Sequence, residues 1–351
     1  MNKTLIKTIC LIVVFSMTIA FTIGAVATLN STSYLSDEID EKIVAVTEDY
    51  ANDFSAEFNH MEGLTDSLAS YVATTFDVDG FEAEPISYMD SYMEEVAEMI
   101  KSNLETIKSA HSLYVTFNPE LTGRNDEVWY VVRDNGETEE IFADKNNKRS
   151  FELPYEKNME YFFKPQGKDY GVWISSYYDE DINEDVFSYS VAIYVDQMFI
   201  GVAGADINAD DITQVIEDMS LYDGGHSALL DENYQFIIRN DEESEDEEAI
   251  IGKALAAEVS EDSDARSGMV QYEFDGKEKI LSYSKLRNGW TFITTQPEDT
   301  VYGPINAVTR TMMLMGLFLA IIFAAFLIAF ARPFIKKTNT LEEENRELEI
   351  I

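Results

Sequence analysis

The sequence predicts an α+β protein in which one long helix carries two stacked lobes, each built on an antiparallel sheet, between two membrane-spanning helices. Three features of the 351-residue chain support this prediction. An uncharged apolar stretch lies near each end of the chain. A helical pattern of apolar residues follows the first stretch, and beyond it come runs of β-branched and aromatic residues separated by tight turns.

The two apolar stretches, residues 8–29 and 311–331, are long enough to cross a bilayer. Neither contains a charged residue, and roughly 20 apolar residues span the hydrocarbon core of a membrane. The small residues Ala25 and Ala27 also fit the cleavage site of a signal peptide. The first stretch is longer than the roughly 7–15 residues of a signal-peptide core, so we expect an uncleaved transmembrane helix.

Basic residues concentrate on the side of each stretch that faces the chain end. Lys3 and Lys7 precede the first, Arg332 follows the second, and only Arg310 lies on the inner flank. The positive-inside rule therefore predicts a two-pass protein of the cell membrane with both chain ends in the cytoplasm. The predicted order is a cytoplasmic N-terminus at 1–7, transmembrane helices at 8–29 and 311–331, an extracellular domain at 30–310 and a cytoplasmic tail at 332–351.

The charge of the chain limits its partners. It contains 66 acidic and 25 basic residues, a formal net charge of −41. Such a protein repels polyanions, so we expect no nucleic-acid partner. The single cysteine, Cys10, lies in the first apolar stretch, so the extracellular domain contains no disulfide and depends on its hydrophobic core.

The extracellular region begins with helical periodicity. From residue 36 to residue 76, apolar side chains recur at steps of mostly three or four, which is typical of one face of a long helix. We interpret this segment as a stalk helix. A second helical pattern follows Pro85. The apolar positions of the two patterns are Ile39, Ile43, Val46, Tyr50, Phe54, Met61, Leu64, Leu68 and Val72, and then Tyr88, Tyr92, Val96, Met99, Ile100, Leu104 and Ile107.

Two sets of strands follow, joined by a short helix over 212–219 that begins at Asn208 or Asp210. An irregular aromatic segment, 151–171, is expected to be a partly ordered loop covering the first set. The charge run 241–248 is expected to be a solvated loop. The predicted strands are 113–117, 128–132, 140–142, 173–179, 186–195 and 199–207 in the first set, with turns at 134–136 and 196–197, and 226–238 around a turn, 269–274, 279–283 and 290–294 in the second.

This order of elements resembles the double Cache domain of bacterial chemoreceptors, sensor kinases and diguanylate cyclases. The resemblance covers about residues 36–300. It rests mainly on three segments, Trp173 to Asp179, Gly201 to Ile207 and Gly289 to Pro297. It implies two PAS-like sheets on a stalk helix, with a membrane-distal lobe at about 80–210 and a proximal lobe at about 211–300. It also implies a homodimer and a small-molecule site in the distal lobe.

The resemblance further implies which residues contact the ligand. In the amino-acid-binding members, an Arg-x-Trp-Tyr group holds the ligand carboxylate, and a Tyr-x-Asp pair and a later aspartate hold its ammonium group. Tyr177 and Asp179 match the pair, and Asp206 matches the later aspartate. Met159 stands where the arginine would be, with Tyr161 and Phe162 at the two aromatic positions. A thioether does not replace a guanidinium group, so the carboxylate clamp is missing.

The remaining aromatic and acidic residues suit an organic cation, because aromatic faces and carboxylates both attract positive charge. We therefore expect an amine-bearing ligand and no cofactor. In the competing interpretation the aromatic residues are core and Asp206 caps the following helix. The predicted ligand-binding residues are Tyr161, Phe162, Trp173, Tyr177, Asp179 and Asp206.

No motif in the chain predicts a metal site or an enzyme. Asp206, Asn208 and Asp210 have the spacing that opens a calcium loop, but Asp211 occupies the sixth position, where that loop needs glycine. The three histidines have no zinc-ligand spacing. Nucleophile, Walker and dinucleotide motifs are absent from the sequence, so we expect no catalysis.

The sequence therefore predicts a membrane-anchored extracellular small-molecule sensor, the input module of a signal-transduction receptor, that signals through the second transmembrane helix. Residues 333–351 predict a short cytoplasmic helix. We expect the chain to be the input half of a longer or split receptor, or to signal to a separate cytoplasmic partner. The alternative is a surface binding or adhesion protein without signalling output.

Overall fold

The computed structural model describes residues 2–106, 110–133, 135–142, 157–219, 221–222, 224–238, 245–261 and 265–348. The chain divides into two compact units, one formed by residues 1–43, 275–279 and 296–351 and the other by residues 44–274 and 280–295. The helices are α1 (Asn2–Thr75), α2 (Val78–Ala83), α3 (Pro85–Thr106), α4 (Pro119–Thr122), α5 (Glu160–Phe163), α6 (Ala209–Asp218), α7 (Glu245–Glu261) and α8 (Glu298–Leu348).

The smaller unit is built on parts of the two longest helices. Each of α1 and α8 contains a segment that is long and apolar enough to cross a membrane and that is not buried within the protein. The Thr32 and Thr309 hydroxyl oxygens lie 2.7 Å apart, and the Tyr302 hydroxyl donates to Asp40, so the two helices are joined by polar contacts. Helix α8 continues through Pro333.

The larger unit contains a six-stranded antiparallel sheet and most of a five-stranded one, which confirms the predicted fold class. The first sheet has the order β3-β2-β1-β6-β5-β4, and the second has the order β8-β7-β11-β10-β9. The strands are β1 (Ser112–Phe117), β2 (Glu127–Val132), β3 (Thr138–Ile141), β4 (Val172–Asp179), β5 (Glu184–Val195), β6 (Met198–Asn208), β7 (His226–Leu230), β8 (Phe236–Ile238), β9 (Ser267–Phe274), β10 (Lys277–Lys285) and β11 (Thr291–Pro297).

One apolar core joins the stalk part of α1 to both sheets. Phe58 and Val72 of α1 are buried together with Leu113 and Ala203 of the first sheet and Phe292 of the second. Because side chains alternate between the faces of a strand, this core uses only one face of the first sheet. The opposite face carries a separate buried cluster, which α5 and the 3-10 turn Lys157–Met159 help to cover.

The strand hairpin that leads to Asp206 forms as the sequence predicted. Strands β5 and β6 pair antiparallel, with one register shift between Ile193 and Tyr194, and are joined by Asp196 and Gln197, with φ angles of 49° and 69°. Two left-handed residues form the tight turn whose twist matches antiparallel strands. The register of this hairpin then fixes which residues of β5 and β6 face the cluster under α5.

Two loop predictions were wrong. The charge run at 241–248 was expected to be a loop, but Glu245 begins α7, because four acidic residues in a first turn are favoured by the helix dipole and Ile251 and Leu255 bury one face of the helix. The covering segment contains α5, which was expected to be irregular. Predicted features that lie outside the described residues are Ile107, Asp134, residues 151–156, residues 241–244 and residues 349–351.

Candidate ligand-binding site

Polar residues from three adjacent strands meet on the face of the first sheet under α5. Ser112 of β1 pairs with Asp206 of β6, and Asp206 pairs in turn with Ser188 of β5. Directly paired residues of antiparallel strands point to the same face. The three side chains therefore form one transverse row, and Asp206 lies in its middle.

Asp206 is buried, with 2% of its surface exposed. Ser112 donates to one carboxylate oxygen, and Ser188 donates to the other at 2.6 Å. Burial raises the pKa of Asp206 to about 7, the two serine hydrogen bonds oppose the rise, and the charge of Asp179 adds to it. The site therefore holds a carboxyl group that is protonated in part at neutral pH.

Two buried tyrosines extend this hydrogen-bond network. The Tyr177 hydroxyl lies 2.9 Å from the Ser188 hydroxyl, and because Ser188 donates to Asp206, Tyr177 donates to Ser188. The Tyr114 hydroxyl lies 2.9 Å from Ser190. Burial, followed by the charge of Asp206, raises the pKa of both tyrosines well above the usual value. Both hydroxyl groups therefore stay protonated.

Helix α5 brings further aromatic residues onto the same face. The Tyr161 ring meets the Tyr114 ring edge-on at 5.3 Å, and its hydroxyl hydrogen-bonds with Thr116. Phe162 is buried against Phe163 and Phe199 at ring distances of 5.2 and 5.6 Å. Helix α5 therefore places one polar and one apolar aromatic side chain over the sheet.

A second carboxyl group in the same cluster, the half-buried Glu127, was not predicted from the sequence. Thr116 donates to it at 2.5 Å. Burial of the carboxyl group raises the pKa of Glu127 to about 7, and the charges of Asp181, Asp179 and Asp206 add to the rise. Glu127 is the first residue of β2. It lies two residues before Trp129, so both side chains point to the same face of the strand, and this alternation is the sequence signal that could have identified Glu127.

Asp179 lies at the end of β4 beside the same group of residues. Its side chain accepts a hydrogen bond from the Asp181 backbone N–H at 2.9 Å. Burial raises its pKa, and backbone hydrogen bonds oppose that rise. Because the charge of Asp179 also raises the pKa of Asp206 and Glu127, the three carboxyl groups act on one another.

The structure does not bring Trp173 together with the other predicted ligand residues. Simple alternation along β4 would put Trp173 and Tyr177 on one face. The register shifts between Ile174 and Tyr177, and this β-bulge reverses the alternation. The Trp173 ring packs 4.9 Å from Phe58 of α1, and its indole N–H donates to a Glu62 oxygen at 2.8 Å.

The helix after β6 begins at Asn208, one of the two predicted caps. The Asn208 side chain accepts hydrogen bonds from the backbone N–H groups of Asp210 and Asp211, whereas Asp206 bonds to serines. Asp206 therefore does not cap α6. The described residues contain no group of three His, Cys, Asp or Glu side chains arranged to hold a metal ion.

Among the described residues, no lysine, arginine or histidine forms an ion pair with Asp206, Glu127 or Asp179. The basic residues nearest along the first sheet pair elsewhere: His111 lies 2.8 Å from Glu184, and Arg133 pairs with Glu139 at 2.6 Å. The site is thus an acidic, aromatic-lined cluster without a positive charge from the described part of the chain.

Residues 31–305 match the model of a sequence family described as a Cache domain, dCache_1. The chain belongs to the double Cache family. Cache domains are sensor modules and not catalytic ones, and their presence here confirms the resemblance drawn from the sequence. Each of the two helices that flank this Cache domain contains a segment long and apolar enough to cross a membrane, which is consistent with a membrane protein.

Several solved structures share this fold. The extracellular domain of a predicted histidine kinase, soHK1S-Z6, is 16% identical with a TM-score of 0.58, over 78% of this chain and 99% of that one. Methyl-accepting chemotaxis protein X is 12% identical with a TM-score of 0.55, over 76% and 100%. No protein of curated function matches the Cache chain.

A third similar structure carries a ligand. It is the ligand-binding domain of the Campylobacter jejuni chemoreceptor Tlp3 in complex with L-norvaline. It is 16% identical to this Cache protein, with a TM-score of 0.53 over 77% of this chain and 94% of that one. At such low identity the similarity establishes only the fold. The ligand of this chain has to be inferred from its own residues.

Proposed function

We propose that this protein is a membrane-anchored extracellular sensor that binds a small organic amine in the lobe formed by the first sheet. The observation that carries the proposal is Asp206, a buried carboxyl group held by two serine hydroxyls and by no base among the described residues. A buried carboxylate is costly without a positive partner. A ligand ammonium group supplies that partner.

The surrounding residues support the same ligand class. Glu127 and Asp179 add negative charge, and the rings of Tyr114, Tyr161 and Tyr177 provide aromatic faces that attract cations. Met159 is buried in this cluster at the position where the amino-acid-binding members carry arginine. The described part of the site therefore offers an amine several partners and a carboxylate none. Trp173 is not part of the proposed site.

The direct connection of the second sheet to α8 supports signalling through the second transmembrane helix. Strand β11 ends at Pro297 and α8 begins at the next residue, Glu298, so the second sheet continues directly into the apolar helix. In our proposal, ligand binding in the membrane-distal first lobe shifts the packing of the second lobe and moves α8. Such a shift requires different ligand affinities in the two states. A homodimer and a separate cytoplasmic partner complete the proposed pathway.

The ligand class is tested by titrating the full chain in lipid nanodiscs with primary amines, amino acids and dicarboxylates. We expect an amine to bind and Asp206→Asn to weaken it at least 100-fold, because the buried charge pair is lost. Asp185→Asn is the matched control, since Asp185 is exposed on the other face of β5. Tight binding of succinate, or an unchanged affinity in Asp206→Asn, would contradict the proposal.

Truncation separates a sensor from a surface binding protein. A chain ending before Pro333 keeps the site, so its affinity for the amine should be unchanged. A cellular response to the amine should disappear with the tail. If the truncated chain still produced the full response, signalling through α8 and the tail would be excluded.

A further inference from the structure

Trp129 holds a buried hydrogen-bond donor that is not used within the described part of the protein. Its side chain is 6% exposed, and its indole Nε1 has no hydrogen-bond partner there. Leaving a buried donor unpaired costs about 1–3 kcal/mol, so native proteins rarely do so without a reason. A ligand that accepts from this N–H group would provide the reason.

The position of Trp129 places it with the candidate ligand site. It pairs with Tyr114 across β1 and β2, and it is buried in the same cluster as Met159, Phe162 and Tyr177. Glu127 precedes it by two residues on β2 and therefore points to the same face. One short strand thus presents a carboxylate acceptor and an indole donor side by side.

We propose that Glu127 and Trp129 form a second polar contact point for the ligand, and that the ligand carries, besides its ammonium group, a neutral hydroxyl or primary amide. This inference rests on the amine site proposed above. It names the ligand class as an amino alcohol or an amino amide. Asp206 takes the ammonium group, and the pair on β2 takes the neutral group.

The chemistry of the pair selects this class over the alternatives. A hydroxyl or an amide donates to Glu127 and accepts from Trp129 at the same time. A second ammonium group only donates, so the indole N–H would stay unpaired. A carboxylate would accept from Trp129 but would face Glu127, Asp179 and Asp206, whose charges repel it. An alkyl end would leave both protein groups without partners.

The test is calorimetric titration of the full chain in nanodiscs with five probes of equal chain length: n-butylamine, 4-amino-1-butanol, 4-aminobutanamide, 1,4-diaminobutane and 4-aminobutanoate. Homologues with three, five and six carbons cover other spacings between the two contact points. We expect the best amino alcohol or amino amide to bind about tenfold or more tightly than the alkylamine and the diamine of the same length. A diamine or an amino acid that binds most tightly would overturn the proposal.

A pair of tryptophan variants tests the contact itself. Trp129→Phe should reduce the preference for the hydroxyl or amide probe over the alkylamine to about twofold or less. In the unliganded variant, the cavity left by the smaller ring lowers the thermal midpoint, and removal of the buried unpaired donor offsets part of that loss. Trp173→Phe is the matched control on the opposite face and should keep the preference.

The two proposals fail in different ways. If no amine of any length binds, the proposed function is wrong, and the proposal of a second contact point is wrong as well. If alkylamines bind in an Asp206-dependent manner but Trp129→Phe leaves the preference unchanged, only the second contact point is wrong. Loss of binding of every probe in Trp129→Phe, with an unchanged circular dichroism spectrum, would also overturn the selective role of the indole.

Discussion

The ring of Tyr114 lies over Gly204, with which it pairs across β1 and β6. A Cβ atom at position 204 would stand 2.0 Å from Cζ of Tyr114, so only glycine leaves room for the ring. From this position the Tyr114 hydroxyl reaches Ser190 at 2.9 Å, and the ring meets Tyr161 of α5. Because Gly204 has no side chain, the Tyr114 ring can lie against β6 and form the base of the candidate site.

Gly204→Ala should displace the Tyr114 ring and distort the base of the candidate site. We expect a loss of about 1–3 kcal/mol in the free energy of unfolding, the usual cost of overpacking, and a loss of at least about tenfold in amine affinity. Chemical denaturation and calorimetry measure the two effects. Gly63→Ala is the control, since an added Cβ there meets nothing within 4 Å and should slightly stabilise α1. Unchanged affinity in Gly204→Ala would show that the Tyr114 position does not matter.

The unliganded protein should become less stable as the pH rises from about 4 to 8. Burial raises the pKa of Asp206 from 3.8, and that of Glu127 from 4.5, to about 7, so the folded state binds more protons than the unfolded state in this range. The stability these groups contribute is complete below their unfolded pKa values and is lost as the pH rises through about 7.

Thermal midpoints of the full chain at several pH values measure this effect. Asp206→Asn should show a smaller decrease between pH 5 and pH 8 than the wild type, because one of the two titrating groups is gone. Asp185→Asn, an exposed change on the same sheet, should follow the wild-type curve. Parallel curves for the wild type and Asp206→Asn would show that Asp206 does not titrate in this range.

Trp173 should matter for stability and not for ligand affinity. Its ring packs among Phe58, Tyr189 and Trp290, and it bonds to Glu62. We expect Trp173→Ala to cost about 2–4 kcal/mol, at the lower end for tryptophan because the side chain is only partly buried.

Tyr170→Ala, a change at a residue that is 62% exposed, serves as the control for Trp173→Ala and should alter the free energy of unfolding by less than about 0.5 kcal/mol. Both variants should bind the amine within about twofold of the wild type at a temperature where they are folded. A large loss of affinity in Trp173→Ala at unchanged stability would place its indole in the ligand site after all.

The sequence predicted those elements whose local signals agree with their environment. The turn at Asp196 and Gln197 and the cap at Asn208 are decided by neighbouring residues, and the structure contains both. The face of Trp173 could not be predicted, because it depends on a bulge that pairing with β5 creates. Glu127 was missed because its hydrogen-bond partner, Thr116, lies on a different strand, and the pairing of β1 with β2 cannot be read from the residues around Glu127.

The number of protons released when the amine binds tests most directly whether carboxyl groups hold the ligand cation. Unliganded Asp206 and Glu127, each with a pKa of about 7, hold about one proton between them at pH 7, and the charge of a bound ammonium group should expel it. Calorimetry of the full chain at pH 7 in buffers of different ionisation enthalpy measures this quantity. We predict release of about one proton per ligand, reduced by about half in Asp206→Asn. Proton uptake, or no exchange in the wild type, would contradict the proposal that buried carboxyl groups hold the ligand cation.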